Sequence, residues 1–232
     1  MKISLIIPAL NEERPLLGVL AMIPSDAVDE IIVVDNGSTD GTAAVARRAG
    51  AKVVREPRKG YGAACWSGFE ASEGADVLVF MDGDGSFLPG EIVRLSEPIA
   101  SGTADLVLGS RTLGIKDAMA IPFHARWGNR LVASIIGLTS GHRLTDLGPF
   151  RAIRRKTLEN LNMQERGYGW PCEMIIKAGK SGYRVVEVPV TYRPRTGGKS
   201  KVSGTITGSI RAAIAMLRVT IRWSFWTPSH TR

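Results

Sequence analysis

Residues 76–86 read Asp-Val-Leu-Val-Phe-Met-Asp-Gly-Asp-Gly-Ser, an apolar run followed by two aspartates one residue apart. The run is rich in strand-forming residues and predicts a strand buried in a sheet. Asp82 and Asp84 follow this strand, where the chain enters a glycine-rich turn. Open α/β sheets bind ligands just outside the carboxyl ends of their strands. The two carboxylates are therefore expected at the binding edge of the fold.

The spacing of Asp82 and Asp84 suits a hard divalent cation. Mg²⁺ or Mn²⁺ takes one or two carboxylates and completes its coordination shell with substrate phosphates. A solvated turn is the alternative interpretation, because Asp and Gly are ordinary turn residues.

Outward from this stretch, the first half of the chain alternates strands and helices, which predicts an α/β fold with a mostly parallel sheet flanked by helices. The predicted strands are residues 3–7, 30–34, 52–55, 77–81 and 104–108, and the predicted helices are 14–22, 42–49, 61–72 and 90–99. In the second half, residues 123–138 and 169–181 are predicted helical. Residues 183–192 are predicted as a strand, and Pro189 indicates that it lies at a sheet edge.

Residues 204–226 predict a basic amphipathic helix. Its apolar stripe recurs at intervals of three and four and consists of Ile206, Ile210, Ile214, Leu217, Ile221 and Phe225. Arg211, Arg218 and Arg222 lie beside the stripe. Such a helix can lie in a membrane interface, or dock its stripe on the domain core or on a second subunit. We therefore expect a catalytic domain over residues 1–203 and a C-terminal amphipathic helix and tail over residues 204–232.

The composition narrows the class of protein. A chain of 232 residues with 44% hydrophobic content is globular, and its net charge of +8 favours anionic partners such as nucleotides, phospholipid head groups or nucleic acid. Cys65 and Cys172 lack metal-binding spacing, which predicts buried free thiols in a reducing compartment. With no secretory signal and no apolar run near the ~20 residues of a membrane span, we expect a cytoplasmic protein, peripheral at most on the inner face of the membrane.

Two other predicted strands also end in acidic residues. The first runs into Pro8-Ala-Leu-Asn-Glu-Glu13, and the second ends at Asp35. An acidic residue at the end of the second strand is well placed to hydrogen-bond a ribose or a base edge. Residues 38–41 are expected mainly to cap the helix that follows.

Taken in order, these motifs resemble those of family 2 glycosyltransferases: residues 8–13, 33–42, 82–84 and 109–111. Residues 146–153, 185–190 and 195–201 are similar to the dolichyl- or polyprenyl-phosphate mannose (or glucose) synthase branch, and the similarity covers residues 2–205. The resemblance implies a GT-A type nucleotide-sugar-binding fold, a GDP- or UDP-sugar donor and Mg²⁺ or Mn²⁺.

The same resemblance assigns roles to the donor side. The residues that would line the nucleoside pocket are Pro8, Leu10, Glu12 and Asp35. Asp82 and Asp84 would hold the metal against the donor diphosphate. Ser86 would make a third metal contact, at a position where the branch often has a glutamine, which is the better ligand.

Cations are implied around the phosphates. Arg111 and Arg126 would face the phosphate of the acceptor or of the donor, and Arg195 and Lys201 would close over the diphosphate from a mobile loop. Such clamps stabilise the negative charge that grows on a leaving diphosphate. A closing loop also excludes water and so limits donor hydrolysis. A solvated basic loop is the alternative.

The need for a base depends on the acceptor. A hydroxyl acceptor in an inverting reaction needs a general base, for which Asp146 and Glu173 are the candidates. An acceptor phosphate is already anionic and needs cations more than a base. In the alternative readings, Asp146 orients Arg151 or caps a turn, and Glu173 is a helix-surface residue.

The preferred hypothesis is sugar transfer from a nucleotide donor to a polyprenyl phosphate at the cytoplasmic membrane face. The runner-up is the same chemistry on a soluble hydroxyl acceptor, with the C-terminal helix making homodimer contacts. A nucleotidyltransferase is disfavoured because no Gly-rich basic loop follows the first strand. A nucleic-acid-binding module is disfavoured because the cations gather in the phosphate-facing loops and the tail instead of alternating with aromatics.

Overall fold

The structure, a computed structural model, describes residues 1–115, 123–197 and 206–228. The described strands are β1 Ile3–Ala9, β2 Glu30–Asp35, β3 Lys52–Arg55, β4 Val77–Phe80, β5 Leu106–Ser110, β6 Arg151–Arg154 and β7 Val185–Pro189. The described helices are α1 Glu13–Ala21, α2 Thr42–Arg48, α3 Tyr61–Ala71, α4 Ile92–Ala100, α5 Phe123–Ser140, α6 Arg155–Leu161, α7 Trp170–Lys180 and α8 Ile206–Ser224, with a short 3₁₀ turn at Pro89–Glu91.

The strands form a seven-stranded sheet in the order β3-β2-β1-β4-β6-β5-β7. β1 pairs in parallel with β2 and β4, so the ends of these three strands meet at one edge of the sheet. β6 is antiparallel to both of its neighbours, β4 and β5. The mostly parallel α/β fold is confirmed, and β7 lies at the sheet edge, as Pro189 indicates.

Both faces of the sheet are covered. Ile6, Ile32 and Phe80 point into one apolar cluster, which contains residues of α3, α5, α7 and α8. Leu5 and Val33, their neighbours in sequence, belong to the opposite cluster, which contains residues of α1, α2 and α4. Successive strand residues thus alternate between two cores, which explains the uninterrupted apolar runs of β1, β2 and β4.

The C-terminal helix forms, but it docks through a face that the sequence pattern did not indicate. α8 packs on α5 and α7 and buries a stripe made of Ala212, Val219, Thr220 and Trp223. Four of the six residues of the predicted stripe lie on the outside: Ile210, Ile214 and Ile221 are about half exposed and Phe225 is 83% exposed. Docking of the predicted stripe on the core, one of the alternatives above, is therefore wrong. The division of the chain at residues 203 and 204 stays a prediction.

Two smaller expectations concern the cysteines and the membrane. Cys65 and Cys172 are buried and unpaired, as predicted. Across the described ranges, none of the helices combines the length and the apolar character needed to cross a membrane.

Candidate active site

The two aspartates that follow β4 form a tight acidic turn, residues 82–86. Asp84 Oδ1 accepts the backbone N–H of Ser86 at 2.9 Å and its hydroxyl at 2.6 Å. Gly85 has a φ of +79°, and a Cβ there would collide with the side chain of Thr196. The glycine is therefore required both by the turn and by the loop lying over it. In this arrangement the Ser86 hydroxyl is directed at Asp84, and its role as a metal contact stays a prediction.

The acidic turn is short of positive charge. Burial, and then the neighbouring Asp84 carboxylate, raises the pKa of Asp82 to about 7, while Arg111 and Arg195 act in the opposite direction. A divalent cation would supply the missing charge. Within the described ranges no group of three or more His, Cys, Asp and Glu side chains is placed to hold a metal. Two carboxylates one residue apart fit an ion such as Mg²⁺ or Mn²⁺, because such an ion takes one or two carboxylates and keeps substrate oxygens in its shell.

Arg195 lies across this turn. Its Nη2 is 2.7 Å from Oε1 of Glu12, in the loop that follows β1, and its Nη1 is 3.7 Å from Asp84 Oδ2. The backbone N–H of Thr196 donates to the Asp84 carbonyl at 3.0 Å, and that of Arg193 donates to the Ser86 carbonyl at 2.9 Å. The structure thus brings Glu12, Asp84 and Arg195 together, and the ligand-binding roles assigned to them stay predictions.

The loops after β1 and β2 are tied to each other. The Ser38 hydroxyl accepts the backbone N–H of Asn11 at 3.0 Å, and Asn11 Oδ1 accepts that of Thr39 at 2.8 Å. Asp40 accepts the N–H groups of both Thr42 and Glu13. Ser38 and Thr39 therefore join the two loops instead of capping α2, so the capping prediction holds only for Asp40, which accepts the Thr42 N–H, and for Gly41, which is the N-cap residue.

Asp35 lies beside these loops, and sequence reasoning missed its neighbour. Asp35 is buried and accepts the Ser38 N–H at 2.9 Å; Pro8, near the end of β1, and Leu10, just after it, are half-buried. The amide of Asn36 donates to the carbonyls of Glu56 and Arg58 and accepts the N–H of Gly60. Asn36 thereby fixes the loop after β3, although its Asp-Asn-Gly context is that of an ordinary turn.

Asp146 orients Arg111, not Arg151. The Arg111 side chain donates to Asp146 Oδ2 at 2.7 Å and to Oδ1 at 2.6 Å, and its backbone N–H donates to Oδ2 at 2.8 Å. Asn129 and the Leu147 N–H add further bonds to Oδ1. Burial works to raise the pKa of Asp146, but the charge and hydrogen bonds of Arg111 outweigh it and the pKa is lowered.

The buried Arg151 and the half-buried Glu187 support the segment that carries Asp146, and neither was predicted to do so. The fully buried Arg151 donates to the Gly148 carbonyl at 2.6 Å. Glu187, on β7, accepts the N–H groups of Thr145 and Asp146. No short motif indicates the Glu187 contact, because it joins parts of the chain that are 41 and 42 residues apart, whereas the Arg151 contact spans only three residues.

Glu173 is a buried residue, so the helix-surface alternative is wrong. Its carboxylate is fully buried, lies 2.7 Å from Lys177 Nζ and accepts the N–H groups of Gln164 and Glu165. These contacts stay within α7 and the loop before it. The side chain of Arg126 and all of Lys201 lie outside the described residues.

An open α/β sheet with an acidic turn and opposed arginines at its carboxyl edge defines the molecule as a GT-A type glycosyltransferase. Comparison of the sequence with known families agrees: Glycosyl transferase family 2 matches residues 4–161. The chain belongs to this family.

Relatives refine the comparison. The chain is 41% identical over 221 residues to an uncharacterized glycosyltransferase of Mycobacterium tuberculosis, covering 94% of this chain and 97% of that protein. It is 35% identical to the undecaprenyl-phosphate mannosyltransferase of Micrococcus luteus, with 96% of each chain covered. It is 34% identical to the polyprenol monophosphomannose synthase of Mycolicibacterium smegmatis, covering 86% of this chain and 80% of that one.

Solved structures share the fold. Glucosyl-3-phosphoglycerate synthase from Mycobacterium tuberculosis, in complex with Mn²⁺, UDP and glucosyl-3-phosphoglycerate, superposes with a TM-score of 0.79 at 22% identity. The match covers 99% of this chain and 81% of that one.

Proposed function

We propose that the protein transfers a sugar from a nucleotide-sugar donor to a polyprenyl phosphate at the cytoplasmic face of the membrane, with a divalent metal in the donor site. One observation carries the choice of acceptor. The two candidate bases, Asp146 and Glu173, are each paired with a cation of the chain and accept backbone N–H groups, whereas a phosphate acceptor needs no base. The relatives named undecaprenyl-phosphate mannosyltransferase and polyprenol monophosphomannose synthase support the same choice.

On the donor side, Asp82 and Asp84 would hold Mg²⁺ or Mn²⁺, and Glu12 and Asp35 would lie at the nucleoside. The bound ion would neutralise charge on the departing diphosphate. The Mn²⁺–UDP complex of the structural neighbour supports a metal and a nucleotide in this fold. Whether the base is guanine or uracil depends on side chains that no motif specifies.

On the acceptor side, Arg111 would meet the lipid phosphate. Asp146 fixes its guanidinium from one side, and the Tyr192 ring lies 5.2 Å from its Cζ. The Arg111 side chain keeps 16% of its surface exposed. A cation held in one orientation loses little freedom when an anion binds, so it can bring two phosphates together at low cost.

The exposed stripe of α8 would rest on the bilayer. Ile210, Ile214, Ile221 and Phe225 give it apolar reach, and Arg211, Arg218 and Arg222 supply positive charge. Neither α5 nor α8 contains an Asp or Glu. A surface of this composition complements anionic head groups. In the runner-up hypothesis the same stripe contacts a second subunit and the acceptor is a soluble hydroxyl compound.

Donor binding tests the proposal. Thermal unfolding would be followed with GDP-mannose, UDP-glucose, UDP-galactose, UDP-N-acetylglucosamine and free nucleotides, each with Mn²⁺ or EDTA. A ligand at a hundred times its Kd adds about 3 kcal/mol. We expect stabilisation by one nucleotide that requires metal and is lost in Asp84→Ala. Asp26→Ala, which removes an exposed aspartate between α1 and β2, is the matched control and should behave as wild type. No shift with any nucleotide in either condition would contradict the proposal.

A further inference from the structure

The guanidinium of Arg195 lies between carboxylates from the loops that follow two different strands. It contacts Glu12 after β1 at 2.7 Å and Asp84 after β4 at 3.7 Å. Glu12 is buried, and the side chains of Arg195 and Asp84 are only 20% and 14% exposed. The contact with Asp84 therefore forms where water screens it incompletely. A positive charge of the chain itself occupies the neighbourhood expected for the metal.

The position of Arg195 is fixed by its backbone. The chain from Tyr192 to Thr196 runs along the acidic turn, with an antiparallel bridge from Tyr192 to Phe87. Two further N–H groups, those of Arg193 and Thr196, donate to carbonyls of the turn. Arg195 Nε also donates to the Gly197 carbonyl at 2.9 Å. These bonds hold the guanidinium over Asp84 without any ligand, so the contact is part of the fold.

The charges explain what Arg195 does there. Asp82 and Asp84 are one residue apart in the same turn, so their carboxylates repel each other, and the guanidinium of Arg195, 3.7 Å from Asp84 Oδ2, partly offsets that repulsion. A divalent cation bound to Asp84 would approach the same guanidinium, and two cations so close repel each other. Binding of a free metal ion and retention of the Arg195–Asp84 contact are therefore opposed. A nucleoside diphosphate changes the balance, because its phosphates offer the guanidinium another anion.

We propose that Arg195 is the resident counter-ion of the donor site, which releases Asp84 only when the metal arrives together with a nucleoside diphosphate. The inference rests on the proposed function, since it takes the metal–nucleotide complex as the ligand. It adds a preference to binding: the site binds the free metal ion weakly and binds the metal–nucleotide complex well. Arg195 then exchanges a carboxylate for a phosphate, which couples the position of residues 192–197 to the presence of donor.

This account predicts opposite effects of one substitution. In Arg195→Gln the carboxylates lose their counter-ion, so the affinity for Mn²⁺ alone should rise about 5- to 20-fold, in the lower part of the range of ordinary coupling between sites. The affinity for nucleoside diphosphate in the presence of Mn²⁺ should fall, because a phosphate contact is lost. Arg195→Lys keeps the charge and should bind Mn²⁺ alone nearly as wild type does.

Free Mn²⁺ is measured by its electron paramagnetic resonance signal during titration of the full chain, with and without UDP or GDP, so no turnover is needed. Arg193→Gln is the matched control, since Arg193 is an exposed arginine of the same loop. The gain of Arg195→Gln should disappear in the double variant with Asp84→Ala, which assigns it to that carboxylate. Circular dichroism verifies that each variant is folded.

Equal Mn²⁺ affinity in Arg195→Gln and wild type, or weaker binding in the variant, overturns the inference even when nucleotides bind normally with metal. Failure of every nucleotide to bind wild type with Mn²⁺ has a different meaning: it overturns the proposed function, and the inference with it.

Discussion

Carboxylates on the two sides of the site have opposite electrostatic states. On the donor side, Asp82 and Asp84 lie together with too little positive charge around them, and the pKa of Asp82 is raised to about 7. On the acceptor side, Asp146 is more deeply buried, yet Arg111 and several amides lower its pKa. Burial acts on both carboxylates, so the direction of each pKa shift is decided by the charged and hydrogen-bonding partners of the carboxylate and not by how deeply it lies. In the proposed function, the donor side would receive a cation, and the acceptor side already holds one, Arg111.

The largest expected effect is on the acceptor side. Asp146→Asn removes the charge that is paired with Arg111 inside the protein. Breaking a buried ion pair costs about 3–5 kcal/mol, so the free energy of unfolding, measured in urea, should fall by that order. Asp105→Asn is the control, because its partner Arg184 is 55% exposed and such pairs contribute about 1 kcal/mol or less. Equal losses in the two variants would remove the distinction between a cation held in the site and an ordinary surface pair.

The donor side should respond in the opposite direction. With a pKa raised from 3.8 to about 7, folded Asp82 binds more protons than the unfolded chain between those values. The free energy of unfolding of wild type in EDTA should therefore fall as the pH rises from about 4 to about 7. Asp82→Asn should flatten this dependence and stabilise the protein at neutral pH by about 1–3 kcal/mol, while abolishing metal-dependent donor binding. Destabilisation at neutral pH would show that the acidic turn is not short of positive charge.

The smallest effect concerns α8, which lies away from the site and has one docked face and one exposed face. Ile214→Asp on the exposed face should weaken sedimentation with vesicles containing phosphatidylglycerol by about 10-fold, since burying such a side chain contributes about 1.5–3 kcal/mol. Donor binding should be unchanged.

Val93→Asp is the control for α8, because Val93 on α4 is similarly exposed. Unchanged vesicle binding in Ile214→Asp, together with a concentration-dependent change in oligomeric state, would assign the face to a second subunit instead.

The donor side could be predicted largely from sequence, because its residues follow strands. Asp35, Asp82 and Asp84 come directly after apolar runs, and parallel strands bring such ends to one edge. The acceptor side could not be predicted in the same way. The buried position of the Glu173 carboxylate depends on hydrogen bonds from the backbone amides of Gln164 and Glu165, and a backbone N–H leaves no signal in the residue pattern. β6, with an arginine at each end and inserted antiparallel, carries too short an apolar run to identify it.

The orientation of α8 was missed for a steric reason. A Cβ on Gly169 would lie 2.4 Å from a methyl group of Val219, so the helix approaches α7 at a glycine. The docked face includes Ala212 and Thr220, which a search for large apolar residues ranks low. Close approach of backbones favours small residues, and the larger ones are then left on the outside.

Transfer of the sugar itself tests the central claim most directly. The radiolabelled donor identified by thermal shift would be incubated with metal and either a polyprenyl phosphate or the matched polyprenol, which lacks the phosphate, and the lipids then extracted. We predict labelled lipid with the phosphate acceptor only, lost in Asp84→Ala and retained in Asp26→Ala. Label on the polyprenol or on a soluble hydroxyl compound, with none on the polyprenyl phosphate, would contradict the account.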